Sequence, residues 1–185
     1  DSNKWHVWSD DYKTTPIFTK MSDSEIRDHL QKNVGPINKK RSESKDKNNA
    51  AWRLFPIILN KQYIRDDDLC KNTYAVLNKY KDKILNAGFS LLEPGCHIGL
   101  HKDYNHSFYR LHIPLVLPKN NNSFNTFISK EDANNINNEI AVLQVENDYR
   151  VWKEDEYFIL DDTYEHDAWN NSKEIRIVML IDYLI

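Results

Sequence analysis

Cysteine is scarce in this 185-residue chain: only Cys70 and Cys96 occur, and they form no CxxC pair. A disulfide scaffold is thereby excluded, and a reducing compartment is compatible. A basic surplus is missing too. Lysine and arginine total 25 against 28 acidic residues, so nothing favours a phosphate backbone and nucleic acid is not an expected partner. No apolar run approaches a membrane span, and the opening DSNKWHVWSDDYK has neither the basic nor the apolar region of a signal peptide. No membrane association and a cytoplasmic address are therefore expected. With only four glycines, 40% hydrophobic and 12% aromatic residues, the chain is globular rather than disordered. Its length suits a single domain with a sizeable core.

The pattern divides that domain into a helical and loop region over residues 1–50 and a strand-rich core over 51–185. Ser22 and Glu25 form a capping box, and Ile26, Leu30 and Val34 line one face, which predicts a helix over 22–34 ended by Gly35 and Pro36. The polar stretch GPINKKRSESKDKNNA reads as a loop. WRLFPIIL predicts a strand with its proline at an edge or bulge. NTYAVLNKYKDKILNAG predicts a helix, with Tyr74, Leu77, Tyr80 and Ile84 on one stripe and Gly88 past its end. Beyond Phe89 short strand-like runs follow closely, among them FSLLEP, HIGLHKD, YRLHIPLVL, SFNTFI, IAVLQVE and IRIVMLIDY. Such spacing points to an antiparallel sandwich or barrel with the early helices packed outside it.

Chemistry concentrates in GLHKDYNHSFYRLHIPLVLP. Residues two apart on a strand share a face, so His101 aligns with Asp103, and Arg110 with His112. An H-x-D pair joined by a distant histidine supplies two imidazoles and a carboxylate, the facial set that leaves positions open on Fe(II). By itself the pair means little: seven histidines and 28 acidic residues produce about one H-x-[DE] by chance. His166, in the turn DDTYEHDAWN, is the further histidine well placed among the strands. Arg176 then falls in line with Val178 and Leu180, and an arginine on an apolar strand face is costly unless it meets an anion. A dicarboxylate chelating iron needs such a cation behind the metal, a role open to Arg110 and Arg176 alike. Asp161 and Asp162 are placed to orient the turn bearing His166.

FSLLEPGCHIGLHKDYNHSFYRLHIPLVLP and YRVWKEDEYFILDDTYEHDAWNNSKEIRIVMLIDY together resemble the aspartyl/asparaginyl β-hydroxylase family of Fe(II)- and 2-oxoglutarate-dependent oxygenases, over roughly residues 52–183. The resemblance implies a mainly β, double-stranded β-helix fold of the jelly-roll, cupin-like kind. It implies iron held by His101 and His166, 2-oxoglutarate gripped by Arg176, and Ser90, Arg110 and His112 at other cosubstrate-contacting positions. Family members that hydroxylate animal proteins carry glycine where Asp103 stands, whereas free-proline hydroxylases keep an acidic residue. Asp103 here implies a complete triad of His101, Asp103 and His166.

The implied activity is hydroxylation of an amino-acid residue, either a protein or peptide Asp/Asn side chain or a proline or free amino acid. The implied cofactor set is Fe(II), 2-oxoglutarate and O2, and the products are succinate and CO2. Two other readings stand beside it: a non-catalytic cupin-like metal- or ligand-binding module, and a zinc hydrolase on the same three ligands. The partner is then a small-molecule amino acid or a peptide or protein substrate, recognised by the loops at 33–49 and 119–139. The polar insert 119–139 reads either as a lid or as surface decoration.

Overall fold

The computed structural model describes residues 6–7, 52–64, 70–102 and 107–185. The helix expected over 22–34 and the loop over 33–49 lie outside the described residues.

Two antiparallel sheets form the fold. The larger runs β1 (His6–Val7), β2 (Trp52–Leu59), β4 (Ile84–Leu92), β12 (Arg176–Leu184), β6 (Phe108–Val116) and β10 (Phe158–Leu160), with β3 (Gln62–Tyr63) paired to β2. The smaller runs β5 (His97–His101), β11 (His166–Asn170), β8 (Ala141–Val145), β9 (Asp148–Val151) and β7 (Phe127–Ile128). β-branched and aromatic residues dominate the long strands, the composition a pleated, half-buried surface favours. Between the sheets lies a core of Leu92, Cys96, Ala141, Leu143, Trp152, Leu160, Ala168 and Val178. The order of strands, each sheet built from segments distant in sequence, is that of a jelly roll, as the family resemblance implies.

β2 matches the predicted strand end to end, and its pairing with β4 shifts register between Pro56 and Ile58, so the proline marks a bulge. The helix predicted over 72–88 is corrected. Helix α1 covers only Lys71–Asn78. After a 3-10 turn at Lys81–Lys83, Ile84–Leu92 becomes β4. Pairing on both edges, with β2 and β12, satisfies the backbone of this segment and outweighs its helical stripe. Gly88 is consequently no helix cap: a Cβ there would lie 2.7 Å from the Phe55 carbonyl oxygen and 2.8 Å from the Pro56 Cα. Leu77 and Tyr74 of α1 pack with Phe55, Ile57, Ile84 and Met179 on the outside of the larger sheet, where the sequence puts its helices.

The insert at 119–139 covers the outer face of the smaller sheet. Its second helix, α2 (Lys130–Asn134), is capped by Ser129, whose side chain accepts from the Asp132 amide. Ala133, Ile140, Val142, Tyr149, Val151 and Trp169 form a separate core beneath it, and Trp169 Nε1 donates to the Ala133 carbonyl at 3.2 Å. Asn121 is fully buried, donating to the carbonyls of Ala141 and Trp152 and accepting from the Ala141 amide. Of the two roles the sequence left open, lid or decoration, the packing makes this segment part of the wall.

Candidate active site

Pro94 and Gly95 turn the chain from β4 into β5. Gly95 has a positive φ of 74°, a conformation glycine adopts without a Cβ penalty, and its amide donates to the Asn170 carbonyl at 2.7 Å. This pins β5 beside β11, where His101 registers with His166. One step along, Ile98 registers with Ala168, so β5 spends three residues where β11 spends two. That bulge lets both Ile98 and His101 face the core. The two imidazole rings lie 4.2 Å apart between centroids.

Both rings are held alike. His101 Nδ1 lies 2.8 Å from the Gly99 carbonyl, and His166 Nδ1 lies 2.9 Å from the Tyr164 carbonyl. A carbonyl only accepts, so each Nδ1 carries a proton, and in the neutral imidazole this is the tautomer whose Nε2 can ligate a metal. The turn before His166 is built by Asp161, whose Oδ1 accepts from the Thr163 amide at 3.1 Å and the Thr163 hydroxyl at 2.6 Å. Asp103, the third member of the implied triad, lies outside the described residues. Among the described residues no group of three His, Cys, Asp or Glu side chains could hold a metal ion.

The larger sheet faces this pair with Ser90, His112 and Arg176. Arg176 is 2% exposed. Its Nη1 donates to the Ser90 carbonyl at 3.2 Å and to Ser90 Oγ at 3.3 Å, and its guanidinium lies 4.6 Å above the Trp152 ring. Its Nε is buried without a partner. Burial lowers its pKa to about 9, which leaves it cationic at neutral pH. Neither acidic residue that could have neutralised it does so: Asp182 pairs with Arg110, and Glu174 with Lys119. Ser90 Oγ also accepts from Trp52 Nε1 at 2.9 Å. With both lone pairs engaged, the Ser90 hydroxyl proton is left to donate.

His112 is 7% exposed and stacks on Phe158 with centroids 4.8 Å apart. Its Nδ1 accepts a long hydrogen bond from Trp152 Nε1 at 3.4 Å, so its Nε2 carries the proton, and that buried Nε2 has no partner. Burial, then the charges of Arg110 and Arg176, then His166, hold its pKa well below 6.5. His112 is therefore a neutral donor aimed into the space between the sheets.

Arg110 shares the inner face with His112 but is already engaged. Its Nε donates to Asp182 Oδ1 at 2.7 Å, its Nη2 to Asp182 Oδ2 at 3.1 Å, and its Nη1 lies 2.9 Å from Asp162 Oδ2. Asn86 Nδ2 donates to the same Asp182 carboxylate at 2.8 Å. Asp162 thus ties the His166 turn to β6 and β12 through Arg110. Sequence reasoning missed Asp182, Trp52, Trp152 and Phe158 as supports. Asp182 was findable, because it stands on the same face as Arg176, Val178 and Leu180 by strand alternation.

An orphaned guanidinium nitrogen, an orphaned imidazole N–H and a spare hydroxyl proton, all buried, suit a bound carboxylate. The prepared histidine pair suits a divalent transition metal. The donor set therefore fits Fe(II) with 2-oxoglutarate.

Comparison with known proteins shows what the whole chain is similar to. The family model described as aspartyl/asparaginyl beta-hydroxylase matches residues 21–184. The ornithine lipid ester-linked acyl 2-hydroxylase of Rhizobium tropici is 30% identical over 139 residues, covering 73% of this chain and 42% of that protein. The aspartyl/asparaginyl beta-hydroxylase of Mus musculus is 25% identical over 138 residues, covering 71% of this chain and 16% of that protein. The chain thus spans less than half the length of either relative. A crystal structure of an oxidoreductase of the 2OG-Fe(II) oxygenase family from Burkholderia pseudomallei aligns with a TM-score of 0.48 at 10% identity, covering 72% of this chain and 66% of that one. With the family model spanning residues 21–184, the chain belongs to the aspartyl/asparaginyl β-hydroxylase family.

Proposed function

We propose that the protein is an Fe(II)- and 2-oxoglutarate-dependent dioxygenase that hydroxylates a carbon next to a carboxyl-type carbonyl. The observation that carries this reading is Arg176: a cation almost wholly removed from water, with no carboxylate partner among the described residues, beside a second buried donor on His112. Fe(II) with bound 2-oxoglutarate and O2 supplies oxidative decarboxylation to succinate and CO2, coupled to insertion of one oxygen atom into a substrate C–H bond.

The chain's own contribution is positional. His101 and His166 present their Nε2 lone pairs, with Asp103 as the third ligand, and the Gly99 and Tyr164 carbonyls fix the rings. Arg176 and the Ser90 hydroxyl take the far carboxylate of 2-oxoglutarate, and the His112 Nε2–H donates to its oxygens. Trp152, Leu143, Ala168 and Val178 wall the space and exclude water. The two relatives' names support the position of attack, since the β-carbon of an aspartyl or asparaginyl residue and C2 of an acyl chain each adjoin a carbonyl. An amino-acid residue, a free amino acid and an acyl derivative all satisfy that chemistry.

The test is anaerobic titration of Fe(II) and 2-oxoglutarate, following the weak visible charge-transfer band. The band should form with wild type, weaken with Arg176→Ala and need more Fe(II) with Asp103→Ala. No band from protein that binds the metal would refute the proposal.

A further inference from the structure

Among the described residues three arginines face the space between the sheets, and their charges are handled differently. Arg110 is neutralised by Asp182 and Asp162, and Arg176 is held for the cosubstrate. The third is Arg150 on β9. It registers with Leu143, a member of the inner core, and with Phe127 on the edge strand β7. Its guanidinium lies 4.2 Å over the Phe127 ring and 5.7 Å over the Phe158 ring. Phe158 is the ring that stacks on His112, and it lies 6.2 Å from Trp152, which carries Arg176 on its face. Arg150 and Arg176 therefore stand at opposite ends of one aromatic row.

Arg150 is half-buried, and among the described residues its contacts are the two phenyl rings, with no carboxylate. Stacking of this kind contributes about 1 kcal/mol at a partly exposed site. That is a modest return for holding a half-buried cation beside the core without a counter-charge. The rings leave the guanidinium edge, with its five N–H donors, open to a planar anion.

We propose that Arg150 is the residue that recognises a carboxylate of the primary substrate. This rests on the oxygenase reading above and adds a substrate class to it. A substrate anchored there lies along Phe158, across the row from the cosubstrate's own cation. The two anions are thereby kept apart, and the carbon chain between carboxylate and reacting centre runs over apolar rings.

The test uses the full chain with Zn(II) in place of iron and saturating 2-oxoglutarate, so that Arg176 is occupied. Hexanoate is the probe and hexan-1-ol its uncharged control, each followed by ligand-observed NMR. Wild type should bind hexanoate at least tenfold more tightly than Arg150→Gln, with Arg150→Lys between them. Hexan-1-ol should not distinguish the three, and 2-oxoglutarate affinity should stay within twofold in all of them, which also reports that the variants fold. Equal hexanoate binding by wild type and Arg150→Gln, or none by wild type, with 2-oxoglutarate bound normally, overturns the assignment of Arg150 alone. Failure of wild type to bind 2-oxoglutarate overturns the oxygenase reading and this assignment with it.

Discussion

Arg176→Met should separate stability from cosubstrate binding. In the ligand-free protein the buried guanidinium carries a penalty. A pKa lowered to about 9 from the usual guanidinium range corresponds to a penalty on the order of 5 kcal/mol, at about 1.4 kcal/mol for each pKa unit. Because this base binds its proton less tightly in the folded state, the penalty is full below about pH 9 and is relieved only as the pH rises above it. Against it stand two long hydrogen bonds to Ser90, about 1 kcal/mol each, and stacking on Trp152, about 1–2 kcal/mol. Methionine keeps the apolar stem in place, so the variant should equal wild type or exceed it by about 1 kcal/mol. Metal stabilises both proteins through the same histidines, and 2-oxoglutarate at a hundred times its wild-type dissociation constant adds about 2.7 kcal/mol to wild type and little to the variant. The order of stability should therefore reverse. Urea unfolding at pH 7.5, with and without the pair of ligands, reads both halves. A ligand-free Arg176→Met protein less stable than wild type by more than about 2 kcal/mol would refute the argument, because it would mean that the guanidinium is already satisfied by protein.

His112 gives the fold an acid limb: its folded pKa is depressed, so below pH 6.5 the unfolded chain takes up a proton that the folded chain refuses. Stability should then fall by about 1.4 kcal/mol for each further pH unit until the folded pKa is reached, and His112→Gln should flatten that limb in urea unfolding at pH 7 and 5. Gly88→Ala drives a Cβ into the backbone of Phe55 and Pro56 and should cost about 3 kcal/mol, seen as a lowered melting temperature. Asn121→Ala removes three buried hydrogen bonds to Ala141 and Trp152 and should cost about 2–4 kcal/mol. If the insert is wall rather than lid, the folded Asn121→Ala protein keeps wild-type 2-oxoglutarate affinity in calorimetry.

Strand positions were legible wherever apolar residues alternate with polar ones and the alternation survives burial. Arg110 with His112, and Arg176 with Val178 and Leu180, face inward as period-two patterning requires. β4 resembles a helix over Ile84–Gly88 because a strand covered on both faces has no need of polar alternation. Its Ile, Leu and Ala fit a helical stripe equally well, and only the pairing with β2 and β12 decides between them. The bulge that turns both Ile98 and His101 inward left no mark in HIGLH, since register is a property of two strands. The partners of Arg110 were hidden for the same reason: Asp182 lies 72 residues away in sequence.

That pairing sharpens the electrostatics of the site. Residue type alone makes Arg110 and Arg176 interchangeable as anchors for a dicarboxylate. Arg110, however, meets two carboxylates, so an incoming anion there would displace Asp162 or Asp182 and leave it buried without its cation, a loss on the order of several kcal/mol. At Arg176 an incoming carboxylate displaces no acid among the described residues. It meets an orphaned Nε and the Ser90 hydroxyl, and it relieves the burial that lowers the guanidinium pKa. The anion therefore gains most at Arg176, while Arg110 serves better bound as it is, bracing β6 and β12 against the turn that carries His166.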